Sequence, residues 1–243
     1  MKTLVTSLNE LRRHLVLKLT GKPGVSLVGN GKAKRSHLEK QSPSDRFEAI
    51  YAQGVWQKGD QETPKSGPGS SLQATDSLRQ QLPDVLDELV AKTLLDVGCG
   101  DFTWMNRTAL RQNYIGVDIV PSVIADNARY AGPKRQFFCI DAISGDLPEA
   151  DTILCRETLF HLSFADGRRL LKNVFSGPRS WFLCTTENDT WFNANIHTGD
   201  YRPLNLRRPP FSFPPPYRII EDAAVRRGRA IGVWPVQSLP RLD

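Results

Sequence analysis

Leu94-Leu95-Asp96-Val97-Gly98-Cys99-Gly100-Asp101 decides the fold. An apolar run takes in an acidic residue near its end and then breaks on two glycines. Eighteen residues past Gly100, a second apolar run, Tyr114-Ile115-Gly116-Val117, ends in Asp118. A strand, a tight glycine turn, a helix and a second strand closed by a carboxylate spell the start of a nucleotide-type site.

The same grammar continues downstream. Strand-like runs occupy 93–97, 114–117, 136–140, 152–155 and 181–185, with helix-like stretches near 103–111, 120–130 and 163–175. The connection 141–151 is short and loop-like. The runs are continuously apolar, as strands covered on both faces should be, so the spacing predicts a doubly wound, mostly parallel α/β sheet. Upstream, RFEAIYAQ (46–53) reads as a short helix, 54–71 as a loop and 75–91 as a helix whose Pro83 kinks or restarts it. Downstream, 186–217 is dense in Asn, Pro, Arg and aromatics and keeps neither period. A loop of that length is usually a lid or disordered, and its aromatics argue against disorder. Residues 219–227 read as a helix and 230–236 as a last strand.

At 243 residues and 40% hydrophobic, the chain can bury one sizeable core. No apolar run approaches the roughly 20 residues of a membrane span, and Leu4 to Leu19 is too interrupted for a secretory signal, so the expected location is the cytoplasm. Cys99, Cys139, Cys155 and Cys184 form no CxxC pair and read as small buried hydrophobes, which implies no metal site. The net charge of +6 is uneven: residues 1–40 carry +7 and the remainder −1. That division suggests a basic N-terminal extension and linker (1–44) ahead of one domain (45–243), with a core at 72–185 and a substrate loop at 186–217. The extension reads as a solubilising, poorly ordered arm. Alternatively, Leu4, Leu8, Leu11, Leu15 and Leu19 recur at near-helical spacing and would make an amphipathic helix on a membrane surface or a partner. Oligomeric state is not legible.

The glycine loop discriminates among cofactors. A dinucleotide fingerprint requires GxGxxG, but the residue three past Gly100 is Thr103, and Asp96 places a carboxylate where a diphosphate would be repelled. S-adenosylmethionine carries an ammonium, a sulfonium, a ribose diol and an adenine. A carboxylate at Asp96 suits the cation, Asp118 suits the ribose hydroxyls and Asp141 the adenine amino group. Hydrogen bonds to a charged group contribute about 1.5–3 kcal/mol each.

LLDVGCGDFTWM (94–105), YIGVD (114–118), FFCIDAI (137–143) and DTILCRETLFHL (151–162) together resemble the four motifs of class I S-adenosylmethionine-dependent methyltransferases, in order and spacing, over residues 72–185. One departure is Phe102 where the family usually has a third glycine. A narrower resemblance, carried by RFEAIYAQGVW, SGPGSSLQAT, SLRQQLPDVL, CRETLFHLSF, TGDYRPLNLRRPPFSFP and IGVWPV, is to a bacterial subgroup associated with polysaccharide or glycoconjugate modification. The resemblance implies a Rossmann-like seven-stranded sheet and a cofactor held by Asp96, Gly98, Gly100, Asp118, Ile119, Asp141 and Ala142, with Arg79 reaching the methionine carboxylate. It also implies that Trp56 and Ser66 to Ser71 fold over the cofactor, and that the end of the fourth strand faces the methyl group.

That strand end carries Arg156, Glu157 and His161. A helical turn there would put Glu157 and His161 on one face, a carboxylate orienting an imidazole as a general base needs. His161 is therefore the candidate base and Glu157 its orienter or a substrate ligand. Arg156 either binds an anionic substrate or pairs with Glu157. His197, Tyr201, Arg202 and Asn205 in the late loop, with Trp56, suit a sugar: aromatic faces for C–H surfaces, amide and guanidinium for hydroxyls. The expected activity is methyl transfer to a small molecule or glycan, at a sugar hydroxyl. The alternatives are N-methylation of an amino sugar or amine, and a non-catalytic binding module. A nicotinamide oxidoreductase is disfavoured by Asp96 and the missing glycine. Nucleic-acid methylation is disfavoured by a body without basic excess.

Overall fold

The computed structural model describes residues 2–21, 36–40, 42–57 and 60–241. Residues 22–35 of the predicted extension and linker, 1–44, lie outside them. Helices α1 (Lys2–Thr20), α2 (Pro43–Ala52) and α3 (Asp76–Glu88) precede strands β1 (Thr93–Val97) and β2 (Asn113–Asp118). Then follow α4 (Pro121–Asn127), β3 (Arg135–Cys139), β4 (Thr152–Cys155), α5 (Phe164–Val174), β5 (Trp181–Glu187), β6 (Arg218–Glu221) and β7 (Arg229–Pro235).

Among the described residues, seven strands form one sheet in the order β3-β2-β1-β4-β5-β7-β6. The first five are parallel, and β7 runs antiparallel between β5 and β6. This is the Rossmann-like class I methyltransferase arrangement. The chain winds outward from β1 through β2 and β3, then returns to start β4 on the other side of β1. That reversal opens a crevice beyond the carboxyl ends of β1 and β4, where ligands of such sheets bind.

Continuous apolar runs let adjacent residues serve opposite faces. Leu95, Val97, Ile153, Cys155, Phe182 and Trp234 pack with α5 residues Leu170, Leu171 and Val174. Leu94, Leu154, Leu183, Ile231 and Val233 pack with α3 residues Leu78, Leu82, Val85 and Leu86. Pro83 lies inside α3 without ending it.

Four expectations fail. The helix predicted at 103–111 is a single 3-10 turn, Met105–Arg107. The helix predicted at 219–227 is instead β6, paired with β7 through Ile219 and Ile220. Cys139 is exposed, whereas Cys99, Cys155 and Cys184 are buried; Cys139 ends the edge strand, which has a neighbour on one side only. The N-terminal arm is not a loose tail: α1 is a helix docked on the 186–217 loop. Arg13 pairs with the Asp200 carboxylate and donates to Tyr201 O at 2.9 Å, and Asn195 N–H donates to His14 Nδ1 at 3.0 Å.

Candidate active site

The loop after β1 takes left-handed backbone at Gly98 (φ +76°) and Gly100 (φ +59°). Phe102, where the third glycine was expected, takes φ +58°. A non-glycine residue there costs of order 1–3 kcal/mol. The offset is burial of its ring, 4.9 Å from Phe137, 5.0 Å from Tyr114 and 5.4 Å from Tyr130.

Three carboxylates surround this turn. Asp118 Oδ2 accepts from Gly100 N–H at 3.0 Å and Oδ1 from Val120 N–H at 3.1 Å, which ties the end of β2 to the glycine loop. Burial nonetheless pushes Asp118 up to about 6. Asp96 accepts from the Tyr114 hydroxyl at 2.8 Å, and burial pushes it to about 7 against that bond and the nearby Arg156 charge. Asp141 accepts from Ile143 N–H at 2.9 Å and the Ser144 hydroxyl at 3.2 Å, so it is a turn former as well as a cleft residue.

The segment around Ser66 closes over the loop. Ser66 N–H donates to Asp101 Oδ2 at 3.0 Å, and Asp101 N–H donates to Ser66 Oγ at 2.8 Å. The Tyr51 hydroxyl from α2 meets Ser66 Oγ at 2.9 Å. A Cβ on Gly100 would collide with Ser66 Oγ, and the left-handed backbone there favours glycine as well. Trp56 meets Tyr51 edge to face, at 5.4 Å and 74°, and lies beside His161 at 4.9 Å and 31°. The resulting cleft encloses about 950 Å³ of atom-free space, part of it open solvent.

At the end of β4 the expected pairing of Arg156 with Glu157 is present at 3.6 Å, but the other expected partners are not. The Arg156 guanidinium is committed to Asp222, Nε and Nη2 each at 3.0 Å, with Nη2 also donating to Gly69 O at 2.9 Å. It lines the cleft, but its charge is neutralised and does not serve an anionic substrate. Glu157 sits at φ +54° with its carboxylate bound by Arg229 and with Arg156 at 3.6 Å. It makes no hydrogen bond with His161, so it is not the orienter. That role falls to a backbone carbonyl: His161 Nδ1 lies 2.8 Å from Asp200 O. A carbonyl only accepts, so Nδ1 carries the proton and Nε2 keeps a lone pair. Burial pulls His161 down to about 4, which keeps it neutral near pH 7.

The cleft wall includes Trp56, Asp96, Gly98, Gly100, Asp118, Ile119, Asp141, Ala142, Arg156, Glu157 and His161. Arg79, His197, Tyr201, Arg202 and Asn205 are not in it. Arg79 is spent on Asp76 and Leu72 O, at 3.0 and 3.1 Å. His197 Nε2 lies 3.0 Å from Gly21 O at the end of α1. Arg202 is fully buried, donates to Leu162 O and lies 4.9 Å from the Phe164 ring, with its pKa drawn by burial to about 9. Asn205 donates to Thr190 O at 3.0 Å and stitches the loop together with Asn193. Tyr201 donates to Glu187 Oε1 at 3.2 Å behind His161. Polar composition in this loop thus folds the loop itself rather than facing a ligand. Sequence reading missed Phe47, Tyr51 and Thr158, which line the cleft. Thr158 follows the Arg156–Glu157 pair directly, and Tyr51 lies in the helix predicted at 46–53, so both stood beside segments already singled out.

The donor set suits a cationic, ribose-bearing cofactor. Asp96 is a buried carboxyl held near neutral pKa and facing the cleft, which an ammonium would stabilise in its charged form. Residues 95–176 match a family described as a methyltransferase domain. No curated protein matches the chain. Among solved structures, the chain is similar to the N-methyltransferase NodS of Bradyrhizobium japonicum WM9 in complex with S-adenosyl-l-homocysteine. The identity is 15% over 61% of this chain and 74% of that one, with TM-score 0.46. It is similar to magnesium protoporphyrin IX methyltransferase of Synechocystis PCC 6803 with 17% identity over 60% and 70% of the two chains and TM-score 0.44. It is similar to CalS10, an amino pentose methyltransferase of Micromonospora echinaspora, with 22% identity over 51% and 54% and TM-score 0.40. Residues 95–176, from β1 and the glycine loop through β2 to α5, therefore match a methyltransferase domain, carried on a sheet with the Rossmann-like strand order of that fold.

Proposed function

We propose that the enzyme methylates a hydroxyl group of a small molecule or glycan, a sugar hydroxyl in the first instance, with His161 as general base. The observation that carries this reading is the state of His161: neutral, its Nδ1 proton given to Asp200 O, its ring held beside Trp56, and its place on the wall of the cleft that Asp96 and Asp118 also line. Among the described residues Nε2 has no hydrogen-bond partner, which leaves its lone pair for an acceptor proton.

In this reading Asp118 takes the ribose hydroxyls, Asp141 and Ile143 the adenine edge, and Asp96 the ammonium. Bound S-adenosylmethionine supplies a methyl group on a sulfonium that departs as a neutral thioether. The protein's share is alignment, worth about 7–11 kcal/mol, and removal of the hydroxyl proton. His161 Nε2 takes that proton as the oxygen–methyl bond forms. The imidazolium that results is stabilised by the nearby Glu157 and Asp200 carboxylates. Trp56 offers an aromatic face to the C–H surface of a sugar.

An amine acceptor needs less base catalysis, so the two acceptors separate experimentally. Methyl-labelled S-adenosylmethionine is incubated with the enzyme and a panel of sugars and amino sugars. Label recovered as a methyl ether is the expected product. Label recovered only as N-methyl groups overturns the reading.

The raised pKa values of Asp96 and Asp118 predict a pH dependence. Both carboxyls hold their protons more tightly than an unfolded chain would, so each becomes a carboxylate only as pH rises through about 6 to 7. Stability is therefore lost as pH rises from the ordinary aspartate value of 3.8 through about 6 to 7, and a ligand that needs the carboxylates recovers part of the loss. Affinity for S-adenosylhomocysteine should therefore rise about tenfold between about pH 5.5 and 8 and then level off. Isothermal calorimetry across that range checks it, and the Asp96→Asn protein should show a shallower rise.

A further inference from the structure

α1 meets the rest of the protein through its polar side. Asn9, Glu10 and Arg13 are 7%, 5% and 4% exposed, whereas Leu8, Leu11, Leu15 and Leu19 are 58%, 40%, 47% and 82% exposed. At 100° per residue the four leucines fall within an arc of about 80°, and Glu10 and Arg13 lie on the opposite half of the helix. Exposed Arg12 and Lys18 sit on either flank of the leucine arc. A surface helix ordinarily buries its apolar stripe. This one is fastened by Arg13 to Asp200 and Tyr201 O and by His14 to Asn195, and it turns the stripe outward.

We propose that α1 docks the protein on an anionic lipid surface, lying in the plane of the interface with its leucines among the acyl-chain ends and Arg12 and Lys18 at the headgroups. The charge distribution chooses this occupant. Residues 1–40 carry +7 and the rest of the chain −1, so the basic excess belongs to the segment that bears the stripe. A second copy packed symmetrically on the same stripe would set one basic helix against another, since α1 carries Lys2, Arg12, Arg13 and Lys18 against Glu10 alone. An anionic bilayer neutralises that charge while covering the leucines. At 19 residues with exposed basic flanks, α1 lies on a membrane rather than crossing it, and no helix among the described residues is long and apolar enough to cross one.

The test is co-sedimentation of the full chain with vesicles of phosphatidylcholine alone or with about 30% phosphatidylglycerol, at low salt and at about 0.5 M. The protein should pellet with the anionic vesicles at least about tenfold more tightly than with the neutral ones and be released by salt. The Leu11→Glu, Leu15→Glu double variant should lose that binding while keeping its melting temperature and its affinity for S-adenosylhomocysteine, because both leucines are exposed and belong to neither core cluster among the described residues. Arg12→Glu with Lys18→Glu should weaken anionic binding alone. The proposal is overturned if the wild type stays in the supernatant with both vesicle types, or if the double-leucine variant binds unchanged. It is equally overturned if sedimentation velocity without vesicles shows a dimer that the double variant breaks. None of these readouts depends on the acceptor.

Discussion

Replacing His161 by alanine should lower kcat by about 10²–10⁴ while leaving affinity for S-adenosylhomocysteine within about threefold, with partial recovery of rate at high pH as hydroxide replaces the missing base. The split follows from position. His161 shares the cleft with the carboxylates around the glycine loop but makes no hydrogen bond to them. Alanine also removes the ring beside Trp56 and frees Asp200 O, so a second variant isolates the proton transfer. Asparagine places an amide nitrogen near Nδ1 and can keep the bond to Asp200 O, but it lacks the Nε2 lone pair. His161→Asn should therefore lose as much kcat as His161→Ala while disturbing KM for the acceptor less. The wild-type pH profile carries a further signature. Burial holds the imidazole near 4, so kcat at saturating cofactor should stay flat down to about pH 5. Any fall of kcat/KM between pH 7 and 6 belongs instead to Asp96 and Asp118. An unchanged kcat in both variants removes His161 as base and returns the choice to an amine acceptor.

The residues that sequence reading placed on the cleft are those fixed by local rules. Gly98 and Gly100 announce left-handed backbone, a carboxylate at a strand end announces a hydrogen-bond acceptor in the crevice, and unbroken apolar runs announce strands covered on both sides. Each of these can be read within a few residues. What failed depends on partners far along the chain. Arg202 and Asn205 look like sugar ligands until their loop is seen to use them on Leu162 O and Thr190 O. Glu157 looks like the orienter of a histidine four residues away until Arg229, seventy-two residues on, claims its carboxylate. A four-residue edge strand such as β6 is too short for its period to show against Asp222-Ala223-Ala224, which favours a helix locally. The leucine period of α1 was visible, but which side of the helix meets the protein was not. That side is set by Arg13 meeting Asp200, not by hydropathy.

Those distant partners also bear on stability, and Arg229→Leu should destabilise the protein by about 3 kcal/mol or more. Arg229 is buried; it pairs with Glu157, donates to Glu187 Oε1 at 3.0 Å, and its guanidinium carbon lies 5.1 Å from the Phe160 ring. Leucine fills much of the volume but leaves two buried carboxylates short of a cation. Arg156, 3.6 Å from Glu157, is shared with Asp222, and among the described residues Arg226 is the one cation that remains at Glu187. For a chain of this size each kcal/mol lowers the melting temperature by about 2–4 °C, so the fall should be of the order of 6–12 °C. The sign of its pH dependence separates charge from packing. Burial alone raises the Glu157 pKa, but Arg156, Arg229 and His161 outweigh it and hold the carboxyl below its usual value. A depressed acid adds stability above its unfolded pKa and loses it as pH falls through the folded one. In the Arg229→Leu protein that contribution shrinks and Glu157 protonates at higher pH. The gap between wild type and variant should therefore be widest at neutral pH and narrow as pH falls through the carboxylate range. Thermal melts at about pH 7 and about pH 4 measure it. A gap that stays constant would mean that Arg229 acts through its contact with Phe160 and not through its charge.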